Sequence, residues 1–123
     1  MARVLIVDDD PDLRGLLETV FESAGHEVIL APGGWNALER IEAIAPDLIV
    51  LDISLGDIEG MAVLRRVHAN PIFRALPVVM MSAHNTDATR AEALSLGAAA
   101  FMGKPVDVEQ LLQIVDALTH ALH

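Results

Sequence analysis

Four places in this sequence put reactive side chains directly after short apolar runs. Asp8, Asp9 and Asp10 follow Val4-Leu5-Ile6-Val7, and Asp52 follows Leu48-Ile49-Val50-Leu51. Ser82-Ala83-His84 follows Val78-Val79-Met80-Met81, and Lys104-Pro105 follows the stretch 98–102. Acids, a hydroxyl and one amine are the parts of a site that handles an anion with the help of a hard cation. If the first and third runs are neighbouring strands, about 4.8 Å apart, Asp52 faces Asp8 and Asp9. Two carboxylates about 5 Å apart repel by roughly 3 kcal/mol at an effective dielectric near 20. Three together call for a cation or a proton. All-oxygen donors without imidazole or thiolate favour a hard ion, and a site that keeps waters for a phosphate favours Mg²⁺ over Ca²⁺. Any one of these acids alone reads as a solvated turn residue or helix cap, and Asp10 is assigned that role. The set on one edge reads as a site.

The elements that position these residues alternate along the chain. The three apolar runs have the unbroken hydrophobic character of parallel strands covered on both faces. Residues 27–31 and 98–102 suit sheet edges. Asp10-Pro11 forms a cap followed by proline in the first helical turn. Leu13, Leu16, Leu17, Val20, Phe21 and Ala24 then recur at helical spacing up to Gly25. Further helices are expected over 35–45, 60–69, 87–96 and 107–122, the last with Leu111, Leu112, Val115 and Leu118 on one stripe and Ile114 and Leu122 beside it. Five β-α units in strict alternation predict an α/β fold with a parallel sheet and right-handed crossovers. Ligands of such a sheet bind beyond the carboxyl ends of its strands, where strand order reverses.

Composition narrows the function. A chain of 123 residues supports one core. Having no cysteine excludes disulfides, thiolate nucleophiles and zinc-thiolate sites. A net charge of −10 argues against nucleic acid or an anionic membrane as the direct partner. The longest uncharged run, 75–86, contains a proline and falls short of the about 20 apolar residues of a spanning helix. No signal-peptide pattern precedes the first aspartates, so the expected location is the cytosol.

Val4-Leu5-Ile6-Val7-Asp8-Asp9-Asp10-Pro11, Asp47-Leu48-Ile49-Val50-Leu51-Asp52, Gly60 with Leu64-Arg65, Ser82-Ala83 and Lys104-Pro105, in this order and spacing, resemble the receiver domain of two-component response regulators. The resemblance spans essentially the whole chain, 1–123, as a single receiver domain with no output domain in view. It implies a doubly wound, flavodoxin-like α/β fold with a five-stranded parallel sheet ordered 2-1-3-4-5. It implies that Asp52 is the phospho-acceptor, and that Asp8, Asp9, Asp52 and the main-chain carbonyl of Ser54 hold Mg²⁺. Ser82 becomes the switch hydroxyl, Phe101 occupies the aromatic switch position, and Lys104 pairs with phosphoryl oxygens through a segment whose bond to Pro105 is cis. The implied donor is a phosphohistidine on a sensor histidine kinase or a histidine phosphotransfer protein. The implied recipient of the signal is a downstream effector protein or a fused output domain. Such a protein is no enzyme beyond its own phosphoryl transfer and dephosphorylation. Relatives of the winged-helix transcription-factor class dimerise through the fourth helix, fifth strand and fifth helix.

Four positions depart from the usual pattern. Gly56 stands where proline is common, Glu59 replaces an aspartate before Gly60, Ser82 stands for threonine, and Phe101 for tyrosine. Two other readings compete. One is a binding module of the same fold that does not use phosphorylation. The other is an aspartyl-nucleophile phosphatase of the haloacid dehalogenase type, which wants a second aspartate where this chain has Ser54. Pro32-Gly33-Gly34 reads as a connecting turn, being too short for a nucleotide-binding fingerprint. The five histidines show no metal-binding spacing; His84, near the site, reads as an exposed loop residue. Met80 and Met81 read as core, and Trp35 is expected to pack at the start of the second helix.

Overall fold

Alternation of apolar runs and helix-period segments becomes a three-layered sandwich in the computed structural model, which describes residues 2–120. The order along the chain is β1 (Arg3–Val7), α1 (Pro11–Ser23), β2 (Glu27–Ala31), α2 (Gly34–Ile44), β3 (Leu48–Asp52), α3 (Gly60–Ala69), β4 (Val78–Ser82), α4 (Asp87–Ser95), β5 (Ala100–Gly103) and α5 (Val108–His120). All strand pairings are parallel, in the order β2-β1-β3-β4-β5. The three unbroken apolar runs take the centre, and the two less regular stretches take the edges.

Successive strand residues point to opposite faces, and each face is covered. On one face Leu5, Val7, Ile49, Leu51, Val78 and Met80 pack with Ala37 and Ile41 of α2, Val63 and Leu64 of α3, and Ala93 of α4. On the other, Val4, Ile6, Val50, Val79 and Met81 pack with Leu17 and Phe21 of α1 and Leu111 and Val115 of α5. Met80 and Met81 thus fill the two cores from one strand. None of the described helices is long and apolar enough to cross a membrane.

Local signals explain most boundaries. Asp10 caps α1 by accepting the Asp12 N–H at 2.9 Å, and Gly25 after it takes φ 92°. Gly97 beyond α4 has φ 103°. The start of α2 falls at Gly34, one residue before the expected one, and the expected strand over 98–102 is displaced to Ala100–Gly103. Asp107 precedes α5 and accepts the Gln110 N–H at 3.1 Å, so it caps the helix. Leu122, assigned to the flank of its apolar stripe, lies outside the described residues. Trp35 packs in the first turn of α2, as expected, and stays 49% exposed. Its packing is with the Arg66 guanidinium of α3, 5.0 Å from the ring centroid.

Candidate functional site

The carboxyl ends of β1, β3, β4 and β5 deliver the site. Asp8 follows β1 directly, Asp52 and Ser82 end β3 and β4, and Lys104 follows β5. Since β1 and β3 are hydrogen-bonded neighbours, Val7 stands opposite Leu51, and the acids that follow them meet. One carboxylate oxygen from each of Asp8, Asp9 and Asp52 lies within 4.8 Å of the others. Asp8 is 0% and Asp52 3% exposed, whereas Asp9 faces solvent. The Lys104 ammonium donates to Asp8 Oδ2 at 2.9 Å and to Asp52 Oδ2 at 3.0 Å. Their remaining oxygens accept main-chain N–H groups: Asp8 Oδ1 from Asp10 at 2.8 Å, and Asp52 Oδ1 from Ser54 at 3.2 Å. The peptide bond between Lys104 and Pro105 is cis.

Burial raises the Asp52 carboxyl above the ordinary aspartate range. The Lys104 hydrogen bond draws it back, the charge of Asp8 raises it again, and the Lys104 charge and the Ser54 N–H offset only part. Burial alone would lower the Lys104 ammonium. The hydrogen bonds and charges of Asp8 and Asp52 more than reverse this, so the net change is upward. One ammonium thus faces three carboxylates, two of them buried, and the cluster keeps an excess of negative charge. An all-oxygen, partly open donor set with that excess fits a hard divalent ion.

Ser82 is fully buried, and its hydroxyl oxygen accepts the His84 N–H at 2.9 Å, which leaves its proton free to be donated. With Ser54 and His84 it lines a cavity of about 410 Å³. His84 is exposed, as expected. Phe101 does not reach the carboxylates. Its ring is buried in the core shared with α4, with the Arg90 guanidinium 5.1 Å from its centroid.

Gly60, already part of the motif, gains its physical reason here, whereas Arg14, Asn85 and Asp57 escape the sequence. Gly60 opens α3 where any Cβ would run into the Asp52 carbonyl, so only glycine lets the helix start against the site. Arg14 of α1 donates to the Asp8 carbonyl at 2.8 Å. Asn85 packs on Gly103, where a Cβ would stand 2.5 Å from its amide nitrogen. Asp57 accepts the N–H groups of Gly34 and Trp35 at 3.0 and 3.1 Å. The signal for a remote cap was that α2 starts on two glycines without a capping residue of its own, though nothing local says that Asp57 supplies it.

A parallel sheet with this strand order and acids collected at its carboxyl edge defines a doubly wound, flavodoxin-like class of fold rather than one protein. The model of the response regulator receiver domain matches residues 4–116. The chain belongs to that family. The transcriptional regulatory protein TrcR of Mycobacterium tuberculosis is 34% identical over 110 residues, covering 89% of this chain and 42% of that protein. The DNA-binding dual master transcriptional regulator RpaA of Synechocystis is 34% identical over 118 residues, covering 96% of this chain and 49% of that protein. The chain therefore spans less than half the length of both relatives. Among solved structures, the receiver domain of the Francisella response regulator 1452 superposes with a TM-score of 0.94 at 27% identity, over 100% of both chains. A receiver domain of response regulators, with an acidic pocket able to hold a metal, is a regulatory element of two-component signalling rather than an enzyme acting on a metabolite.

Proposed function

We propose that residues 1–123 act as one phospho-accepting receiver domain, with Asp52 as the acceptor. The observation that carries this reading is the Lys104 ammonium within 3.0 Å of both the Asp8 and Asp52 carboxylates at the carboxyl edge of the sheet. The donor is a phosphohistidine on a sensor histidine kinase or a histidine phosphotransfer protein. An Asp52 carboxylate oxygen attacks phosphorus, the phosphorus–nitrogen bond breaks, and the imidazole leaves with the electron pair. Asp8, Asp9, Asp52 and the Ser54 carbonyl would hold Mg²⁺. When bound, Mg²⁺ supplies positive charge against the phosphoryl oxygens and the acids. Lys104 turns from Asp52 to the transferred group and neutralises a further oxygen, and positioning by these residues supplies most of the catalysis.

Ser82 donates its free proton to the phosphoryl group and so draws the segment before α4 toward Asp52. Phe101, packed under Arg90 of α4, is placed to carry that movement to the surface. The recipient is a downstream effector or a fused output domain. The names of TrcR and RpaA point to transcriptional output, in which case an attached domain, rather than this acidic one, would touch DNA. The test is incubation with Mg²⁺ and acetyl phosphate or phosphoramidate, followed by intact-mass measurement. An acid-stable, base-labile gain of one phosphoryl group, absent in Asp52→Asn, is expected. No adduct would favour a phosphorylation-independent binding module, and multiple turnover a phosphatase.

A further inference from the structure

The Pro32-Gly33-Gly34 turn opens α2 with Gly33 at the capping position, which has no side chain to offer. The first amide groups of any helix lack partners within it. Here a carboxylate 23 residues further along supplies them: Asp57 Oδ1 accepts the Gly34 N–H at 3.0 Å, and Oδ2 accepts the Trp35 N–H at 3.1 Å. Both glycines are fitted to this contact. A Cβ on Gly33 would stand 2.9 Å from an Asp57 carboxylate oxygen, and one on Gly34 would overlap the Ile58 side chain. The turn is therefore a socket for the loop 53–59.

That loop needs an anchor. Its neck is closed by Ile53 N–H to the Met81 carbonyl at 2.9 Å and Gly60 N–H to the Ile53 carbonyl at 2.8 Å. Between them Gly56 lies in open space. Among the described residues, 54–59 bonds to its flanking strand through Ser54 and to its flanking helix through Glu59, and the hydrogen bonds tying it to any further element are those of Asp57. Ser54 sits on the same span.

We propose that Asp57 is a positioning residue for the acceptor site, its carboxylate pinning the loop to α2 and thereby holding the Ser54 carbonyl ready for the metal. This rests on the assignment of that carbonyl as a ligand. Residues that orient a ligand typically change metal affinity by about 10–100-fold when removed. Asp57 works at the low end because it acts through the backbone.

The test compares the full chain with Asp57→Ala, Asp57→Asn and the double variant Gly56→Ala/Asp57→Ala. Mg²⁺ affinity is measured by calorimetry, and exchange of the Gly34 and Trp35 amides by NMR. Asp57→Ala should bind Mg²⁺ about tenfold more weakly and lose protection at both amides. Asp57→Asn should lose less, because its one carbonyl oxygen still accepts an N–H. The added Gly56→Ala should restore part of the affinity by stiffening the loop. Equal losses in the Ala and Asn variants would mean a mere effect of charge and overturn the positioning role. So would wild-type Mg²⁺ affinity in Asp57→Ala alongside unprotected amides. If the wild type itself bound no Mg²⁺, the metal assignment would fall and this proposal with it.

Discussion

Asp52 and Lys104 respond to burial in opposite ways, and the difference sets what their removal does. Asp52 has its carboxyl raised by burial and by Asp8 despite Lys104. A group whose folded-state value lies above its unfolded one contributes stability that is complete below the unfolded value and lost as pH rises through the folded one. Ionised Asp52 is therefore a burden on the metal-free protein at neutral pH. Asp52→Asn should melt higher than the wild type in chelator at neutral pH, and the gap should close as pH falls toward the ordinary aspartate value of 3.8. Thermal melts across that range decide it; a wild type more stable throughout would refute it. Lys104 is the reverse case, since its loss strands two buried acids. Lys104→Met should cost about 3 kcal/mol without metal and visibly less in millimolar Mg²⁺, as urea titrations with and without the ion would show. An equal cost in both would mean that no cation can replace the ammonium.

At the scale of elements, a glycine within the loop 53–59 and the glycine that ends it by opening α3 make opposite forecasts. Gly60→Ala presses a Cβ on the Asp52 carbonyl, a backbone atom that cannot step aside, so about 2 kcal/mol should be lost. Gly56 has open space and no positive φ, so Gly56→Ala should leave stability unchanged or raise it by about 0.5 kcal/mol. Chemical denaturation measures both, and a Gly60→Ala variant as stable as the wild type would be inconsistent with the close approach. The same loop marks where sequence reading stops. The central strands were legible because residues buried on both faces must be apolar, and the acids after them were legible because strand ends gather on one edge. The capping of α1 by Asp10 was local and therefore visible. The cap of α2 was not, because Asp57 reaches it only after β3 has been laid beside β1. Trp35 was legible as a residue that packs at the start of α2, but its partner was not, because Arg66 lies on α3 and lets the ring stay half exposed.

Over the whole molecule, net charge −10 governs both metal binding and association. A divalent ion that binds only the folded cluster adds stability by mass action, about 2.7 kcal/mol at a hundredfold excess over its dissociation constant. A melting temperature indifferent to millimolar Mg²⁺ would speak against the site. Association through α4, β5 and α5, the face used by relatives of the winged-helix class, would need basic side chains there. From Asp87 onward the Lys and Arg residues are Arg90 and Lys104, and both are engaged, Arg90 on the Phe101 ring and Lys104 on the site carboxylates. Asp87, Glu92, Asp107, Glu109 and Asp116 are exposed on or beside these elements. Two copies meeting through this face would bring acids together with almost no free base to interlock them, a penalty of several kcal/mol. Phosphorylation should therefore produce no charge-interlocked dimer. The domain should stay monomeric, or associate through apolar contacts such as Leu94, which is 45% exposed. Light scattering with beryllofluoride, a phosphoryl mimic, at low and high salt discriminates the two outcomes. Exposed ion pairs are screened over about 10 Å at 0.1 M salt, so a beryllofluoride-dependent dimer that dissolves as salt rises would show that the acidic face finds a basic partner after all.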